Sequence, residues 1–487
     1  VLTPAIAITP TAGPRGTSVN VTGTNFPVGG TGIVVTWDGV AKITLITADT
    51  SGAWGPRTFT VPTTALAGSH IVDAYSAVTP ATQVADVTFT VQAAQNLDTG
   101  VYYPTIQAAI TAATAGDTIK VFAGTHTEAI IVSKQLTIKS EGAATTIVDA
   151  TGLDEATVRI TAAGTIFGLM ENGQAKGLTI TGADADCGIY VNANSVEISG
   201  NIITANDRGI GISSTASGAL VYHNDILSNT SGDGIYNEGT NSADARYNWW
   251  GDISGPGGIG PGSGDTITTY VAYEPWLTKV SATVVDSGFA YVGYELSLGE
   301  GWNIFSTPFA LDASADTWGE LKTLGNGLSV HATSPIYYYD PIAAVGYRWK
   351  QVTSTTKISP LKAYYVRMAS ADEAPVLLNP LGFTSEAAVY GGWNLISLSS
   401  LPDEASSMHA SEALVDILYA ADGYSQGYIR VASPPDCNQP AAWWYYGGPP
   451  TGGDEGWLHV GHGYWVYMRN SAYLGAHVIY PVLLPMP

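Results

Sequence analysis

The chain has 487 residues, 45% of them apolar and only 12% charged, and its 41 acids outnumber its 19 bases to give a formal net charge of −22. The apolar content is enough for real cores and excludes a disordered chain. The acidic surface repels phosphate backbones and excludes nucleic-acid binding, and no apolar run reaches the roughly 18 residues a membrane-spanning helix needs.

At roughly 150 residues per domain, the length leads us to expect about three domains. The charge is uneven: residues 1–96 hold four acids and three bases, residues 97–277 nineteen and seven, and residues 278–487 eighteen and nine. Such a surface suits divalent cations bridging neighbouring molecules. Cys187 and Cys437 lie 250 residues apart, which is neither a disulfide framework nor a metal-ligand spacing, so two buried free thiols are expected. The chain begins at Val1 rather than Met, which we read as a processed N-terminus and hence an extracellular, cell-surface protein. Asn20 and Asn229 open sequons and are glycosylation candidates.

Residues 1–92 read as strands throughout. Ser18-Val-Asn-Val-Thr-Gly, Gly32-Ile-Val-Val-Thr-Trp, Arg57-Thr-Phe-Thr-Val and Ala85-Asp-Val-Thr-Phe-Thr-Val are short, β-branched and alternating, with Gly, Pro, Asn and Asp at the turns. Six or seven such strands argue for an immunoglobulin-like β-sandwich. The run from Ile8 to Phe26 resembles the opening of immunoglobulin-like modules of prokaryotic surface proteins, which serve as spacers, adhesins and lattice units alike. The strand at Leu2-Thr-Pro-Ala-Ile-Ala-Ile-Thr-Pro is expected to dock on an adjacent subunit by strand addition.

Residues 93–277 begin with a polar linker and one helix, Thr105 to Ala115, with Ile106, Ala109, Ile110 and Ala113 on one side and Gly116 past its end. This helix is expected to cap the repeats beyond it. There the chain aligns on itself: Gly200-Asn-Ile-Ile, His223-Asn-Asp-Ile-Leu and Tyr247-Asn-Trp-Trp recur, putting Asn201, Asn224 and Asn248 at intervals of 23 and 24 residues. Gly188-Ile-Tyr-Val, Gly209-Ile-Gly-Ile and Gly234-Ile-Tyr-Asn sit between them. Units this small cannot bury their own apolar faces, so they must stack as a solenoid. Equivalent asparagines would then form a hydrogen-bonded ladder. The opening Ile106-Gln-Ala-Ala-Ile, Gly116-Asp-Thr-Ile-Lys-Val and Ala123-Gly-Thr-His-Thr-Glu, with the closing Asn248-Trp-Trp-Gly, resemble the right-handed parallel β-helix proteins. That group holds pectate lyases, polygalacturonases and many surface proteins without assigned activity.

Residues 278–487 are a duplication of two β-rich lobes, 278–385 and 386–487, each expected to carry a short helix. Gly301-Trp-Asn-Ile-Phe-Ser returns as Gly392-Trp-Asn-Leu-Ile-Ser 91 residues later, and Ala363-Tyr-Tyr-Val-Arg-Met as Gly463-Tyr-Trp-Val-Tyr-Met 100 residues later. The whole chain is thus expected to be all-β.

A lyase on the solenoid would need a Ca²⁺ site of carboxylates and a basic residue to abstract a proton. Asp186, Asp207 and Asp233 precede Gly-Ile steps on successive units and form a candidate Ca²⁺ column, with Arg208 adjacent and Arg246 further along. Turn statistics favour instead aspartates bonded to their own backbone. No paired carboxylates of a glycosidase are recognisable, and His223 reads as a solvated turn residue. Of the aromatic clusters, Tyr337-Tyr-Tyr and Tyr464-Trp-Val-Tyr read as lobe core, whereas Trp443, Trp444 and Tyr446 are the candidate surface for stacking glycans. These readings favour a self-assembling structural protein (an S-layer, sheath or filament subunit) that forms homo-oligomers through its β domains. No cofactor is required. The alternative is a secreted polysaccharide lyase or glycoside hydrolase, or a glycan-binding adhesin.

Overall fold

The structure, a computed structural model, describes residues 3–75, 83–153, 155–171, 174–280, 292–307, 310–330, 335–379 and 386–397, and beyond these 407–409, 414, 428–433, 443–446, 457–459 and 463–475. The fold is all-β with several parallel sheets. It divides into two compact units, residues 1–224 with 228–243, and residues 225–227 with 244–487.

The first unit opens with two sheets that share one core, antiparallel except where Ala12–Gly13 runs parallel to Gln83–Val91 at the edge of the larger. Ala5–Thr9, Ser18–Thr24 and Trp54–Thr60 make the smaller sheet. Gln83–Val91, Gly68–Tyr75, Ile33–Trp37 and Val40–Ile46 follow one another in the larger. Alternation puts Val19, Val21, Val35, Phe59, Val72 and Phe89 inside. The N-terminal strand expected to dock on a neighbour is already used in cis: Ala5 pairs with Thr24 and Thr9 with Asn20. That pairing uses one edge of the strand; Ala5–Thr9 is the outer strand of its sheet, so strand addition would have to use its other edge.

The helix forms at Ile106–Ala112, with Thr105 as N-cap and Ile106, Ala109 and Ile110 buried. Both of its ends are satisfied by residues further along the chain. The Glu128 carboxylate accepts from the Ile106 and Gln107 N–H groups at 2.9 and 3.0 Å. Lys134 Nζ donates to the Thr111 and Ala113 carbonyls at 2.6 Å. An acid at the N-terminus and a base at the C-terminus also complement the helix dipole. Arg15 ties the two-sheet region to the first strands beyond it, donating to the carbonyls of Ala65, Ala123 and, at 3.4 Å, Thr125.

From Thr118 the chain visits three parallel sheets in rotation. Thr118–Val121, Thr137–Lys139, Ile166–Phe167, Glu197–Ser199 and Leu220–Tyr222 stack in one sheet. Gly124–His126, Thr146–Asp149, Thr179–Thr181 and Ile202–Thr204 stack in the second. Ile130–Val132, Val158–Ile160, Cys187–Val191, Arg208–Ile212 and Asp233–Asn237 stack in the third. Each sheet sends a column of apolar residues inward, such as Ile119, Ile138, Phe167, Ile198 and Val221, all at 0% exposure.

In the second unit Trp276–Leu277 pairs with Val292–Leu298, which pairs with Asp372–Leu378. The duplication in the sequence is repeated in the topology. Gly301–Phe305, Tyr364–Met368, Ile336–Tyr339 and Trp349–Val352 form one antiparallel sheet, and Gly392–Ser397, Gly463–Met468, Tyr428–Ser433 and Trp443–Tyr446 form another in the same order. The Gly-Trp-Asn motif has the same role in both. Asn303 accepts from Gly299 N–H at 2.9 Å and donates to the Gly299 and Gly301 carbonyls. Asn394 treats Tyr390 and Gly392 identically. Each amide closes the turn that starts its sheet, and Gly301 and Gly392 both adopt φ +98°, where a side chain would be strained. The first lobe's expected helix is the short Trp318–Leu321, closed by a Thr317–Glu320 capping box; the counterpart in the second lobe lies outside the described residues.

Candidate functional site

The asparagine column forms as a ladder. Asn224 Oδ1 accepts from both the Asn201 N–H and Asn201 Nδ2, at 3.0 and 3.1 Å, and Asn201 Oδ1 accepts from Leu178 N–H at 2.9 Å. Each amide also donates to the carbonyl two residues back, Ser199 or Tyr222. In the other unit Asn248 repeats that contact with the Arg246 carbonyl and adds the Ala245 carbonyl. The residue ahead of each asparagine, Gly200, His223 or Tyr247, takes a left-handed φ between +54° and +68° and turns the corner. His223 is therefore a half-buried corner residue rather than a solvated one, and burial lowers its pKa to about 4.

A second ladder stands beside the first, and the sequence reading does not find it. Asn229 Oδ1 accepts from the Asn206 N–H and Nδ2, both at 3.2 Å, while Asn229 Nδ2 donates to the Ile203 carbonyl. Asn229 is 5% exposed, so this sequon residue belongs to the interior, whereas Asn20 is exposed on its strand. The second ladder also bears on the recurring Gly-Ile steps. A Cβ on Gly188 would lie 2.6 Å from Asn206 Nδ2, and one on Gly209 would lie 3.0 Å from Asn229 Nδ2. At Gly188 the amide is the closest obstacle, whereas at Gly209 the Gly234 carbonyl comes closer still, at 2.4 Å.

Two of the three aspartates face guanidiniums. Arg159 lies 3.5 Å from Asp186, and Arg208 lies 3.4 Å from Asp233. The same guanidiniums cover the rings of Tyr190 and Tyr236 at 4.8 and 4.6 Å. Asp186 also accepts from the Cys187 N–H at 2.7 Å, the turn contact that the competing reading expects. Arg246 forms a two-pronged pair with Asp244. Among the described residues no three His, Cys, Asp or Glu side chains are grouped to hold a metal. Cys187 is a buried free thiol whose pKa burial pushes up to about 12, which leaves it inert; Cys437 lies outside the described residues.

The site with chemical character is in the first C-terminal lobe. Strand alternation sends Tyr364 and Val366 into the core, at 1% and 0% exposure, and Tyr365 and Arg367 to the opposite face. Register sets Trp302 beside Arg367, Tyr337 beside Tyr365 and Gln351, and Tyr339 beside Trp349. Trp302, Tyr337, Trp349 and Tyr365 line an open trough of about 630 Å³. Trp302 and Trp349 keep 46% and 47% of their surface in water. Leaving on the order of 100 Å² of indole exposed forgoes about 2.5 kcal/mol per residue, so folding alone does not account for tryptophan here.

The trough continues into the second lobe. Trp465 meets Tyr339 and Trp349 with ring centroids 4.9 and 5.9 Å apart, Trp393 lies 6.2 Å from Trp465, and Trp393 meets Tyr467 at 5.2 Å, all near perpendicular. Ile304, Ala363 and Leu395 seal the join beneath, and a Cβ on Gly463 would sit 2.2 Å from Ile304. The Tyr337 cluster thus belongs partly to a surface, not wholly to a core. Trp443, Trp444 and Tyr446 lie on a strand paired with Tyr428–Ser433, but their side chains fall outside what is described. No family model, no curated protein and no solved structure matches the chain.

Proposed function

We propose that the chain is a non-catalytic, extracellular structural subunit that holds carbohydrate, and that it forms part of a surface layer, sheath or filament. In this reading the three-sheet coil is a right-handed parallel β-helix behind an immunoglobulin-like sandwich, and it acts as a rigid spacer. The supporting observation is the aromatic trough, because half-exposed indole and phenol rings gathered on one face match the apolar faces of pyranose rings. Assembly through the β domains has its best support in Val40–Ile46, the outer strand of its sheet, where Val40 and Leu45 are 60% and 84% exposed. The polysaccharide-cleaving alternative draws no support from the aspartate column, since two of its three carboxylates face guanidiniums.

The test is calorimetric titration of the full chain with oligosaccharides of several linkages, beside electron microscopy of concentrated protein. Binding weakened tenfold or more by Trp302→Ala supports the reading. Indifference to every sugar overturns it, as would turnover abolished by Asp207→Ala.

A further inference from the structure

Arg367 stands where the second lobe has a tyrosine, and Arg430 of that lobe lies opposite the same tyrosine in register. Arg367 stands opposite Trp302 on the trough face and is exposed. In the repeat the same position is Tyr467, opposite Trp393, and the two rings close on each other at 5.2 Å. The first lobe has therefore a guanidinium where the second has an aromatic lid. Among the described residues Arg367 makes no ion pair. A second guanidinium belongs to the same sheet: Arg348 Nη1 donates to the Tyr339 hydroxyl at 3.0 Å, and the Tyr339 ring lies 5.5 Å from Trp349.

The local charge agrees. Residues 299–379 hold seven acids and six bases, while the rest of 278–487 holds eleven acids and three bases. This stretch is nearly neutral, as residues 1–96 are, in a chain of net charge −22. Charges more than about 8 Å away are largely screened at physiological salt, so a ligand in the trough responds to these guanidiniums before the rest of the acidic surface.

We infer that the trough selects acidic sugar chains, those built from uronic acids, with the aromatic rings stacking the pyranose faces and Arg367 receiving a carboxylate. The planar fork of arginine matches a carboxylate with two parallel hydrogen bonds, and the neighbouring Gln351, exposed beside Tyr337, offers an amide to sugar hydroxyls. The inference rests on the carbohydrate reading above and adds the ligand class to it.

The experiment uses the full chain and matched pairs of oligosaccharides that differ only at C6: cello-oligosaccharide against its 6-carboxyl counterpart, and galactan against galacturonan of the same length. The expected result is binding about five- to tenfold tighter for the acidic member, as one well-formed charge-assisted contact supplies. Arg367→Gln should remove that preference, bringing the two members of each pair to equal affinity, and Arg367→Lys should restore part of it. Equal affinity for both members in the unaltered protein overturns the inference and leaves the carbohydrate reading intact. A preference that survives Arg367→Gln overturns the role of Arg367. Failure of every member to bind overturns the carbohydrate reading itself. Arg367 is exposed, so its variants should fold, and an unchanged melting temperature checks this.

Discussion

Trp465 donates its indole N–H to the hydroxyl of Tyr365 at 3.3 Å, and the two residues hold the same position in their repeats, 100 residues apart. The duplicated closing strands thus meet each other at their own equivalent points. Trp465→Ala removes this bond and the ring contacts to Tyr339, Trp349 and Trp393. It should cost about 3 kcal/mol of stability and weaken any trough ligand. Tyr365→Phe keeps the ring and should cost about 1 kcal/mol. Denaturant unfolding of both variants provides the check.

Asn201→Ala should be among the most damaging changes in the first unit. It leaves the Leu178 N–H and the Phe167 and Ser199 carbonyls without their partner in a dry interior, at a cost of about 3 kcal/mol. Asn206→Ala should behave alike, whereas Asn20→Ala, at an exposed position, should stay within about 0.5 kcal/mol. Urea titrations of the three would rank them.

Calcium should do little for the third parallel sheet. With Arg159 and Arg208 against Asp186 and Asp233, a cation would have to displace two guanidiniums, so millimolar Ca²⁺ should leave the melting temperature unchanged. Arg208→Gln should leave it unchanged as well, since among the described residues no three carboxylates are grouped to hold a cation. A rise in either protein would contradict this account.

Glu274 gives the second unit a dependence on pH. Burial, and then the charge of Glu295, push its pKa up to about 8, and the Glu295 N–H donates to its carboxylate. The raised folded-state pKa means that the native state holds the proton more tightly. Its stabilising contribution is full below the ordinary glutamate range of about 4.5 and is lost as pH climbs through about 8. Unfolding free energy measured from pH 5 to 9 should fall by on the order of 4 kcal/mol, and Glu274→Gln should flatten the curve.

How much was legible in the sequence depends on how each contact is made. Asn201 and Asn224 could be found because stacking in register makes the spacing constant, and the helix because its buried face is one local stripe. The second ladder is open to the same search, since Asn206 and Asn229 are also 23 apart, but Asp207 beside the one and the sequon opened by the other are the stronger local signals. The pairing of Arg159 with Asp186 was not legible, because it joins a strand residue to one 27 further on, in the bend before the next strand, through side chains whose direction no local pattern specifies. The trough was half legible. Alternation around Tyr365 places it opposite Tyr364, but Trp302 reads only as a marker of duplication, and Trp349 stands in no aromatic cluster at all.

The two asparagine ladders also make the coil a ruler with fixed divisions. Each amide is addressed to a partner one full turn away, yet the number of residues in a turn is not fixed: Thr118 pairs with Thr137, 19 residues on, and Ile166 with Glu197, 31 residues on. What the stacking fixes is the rise, about 4.8 Å per turn, and extra residues are taken up between the strands, as Met170–Glu171 and Gln174–Ala175 are between Ile166–Phe167 and Thr179–Thr181. Lineages carrying this coil should vary freely in the length of such loops, and in the length of the coil only by whole turns.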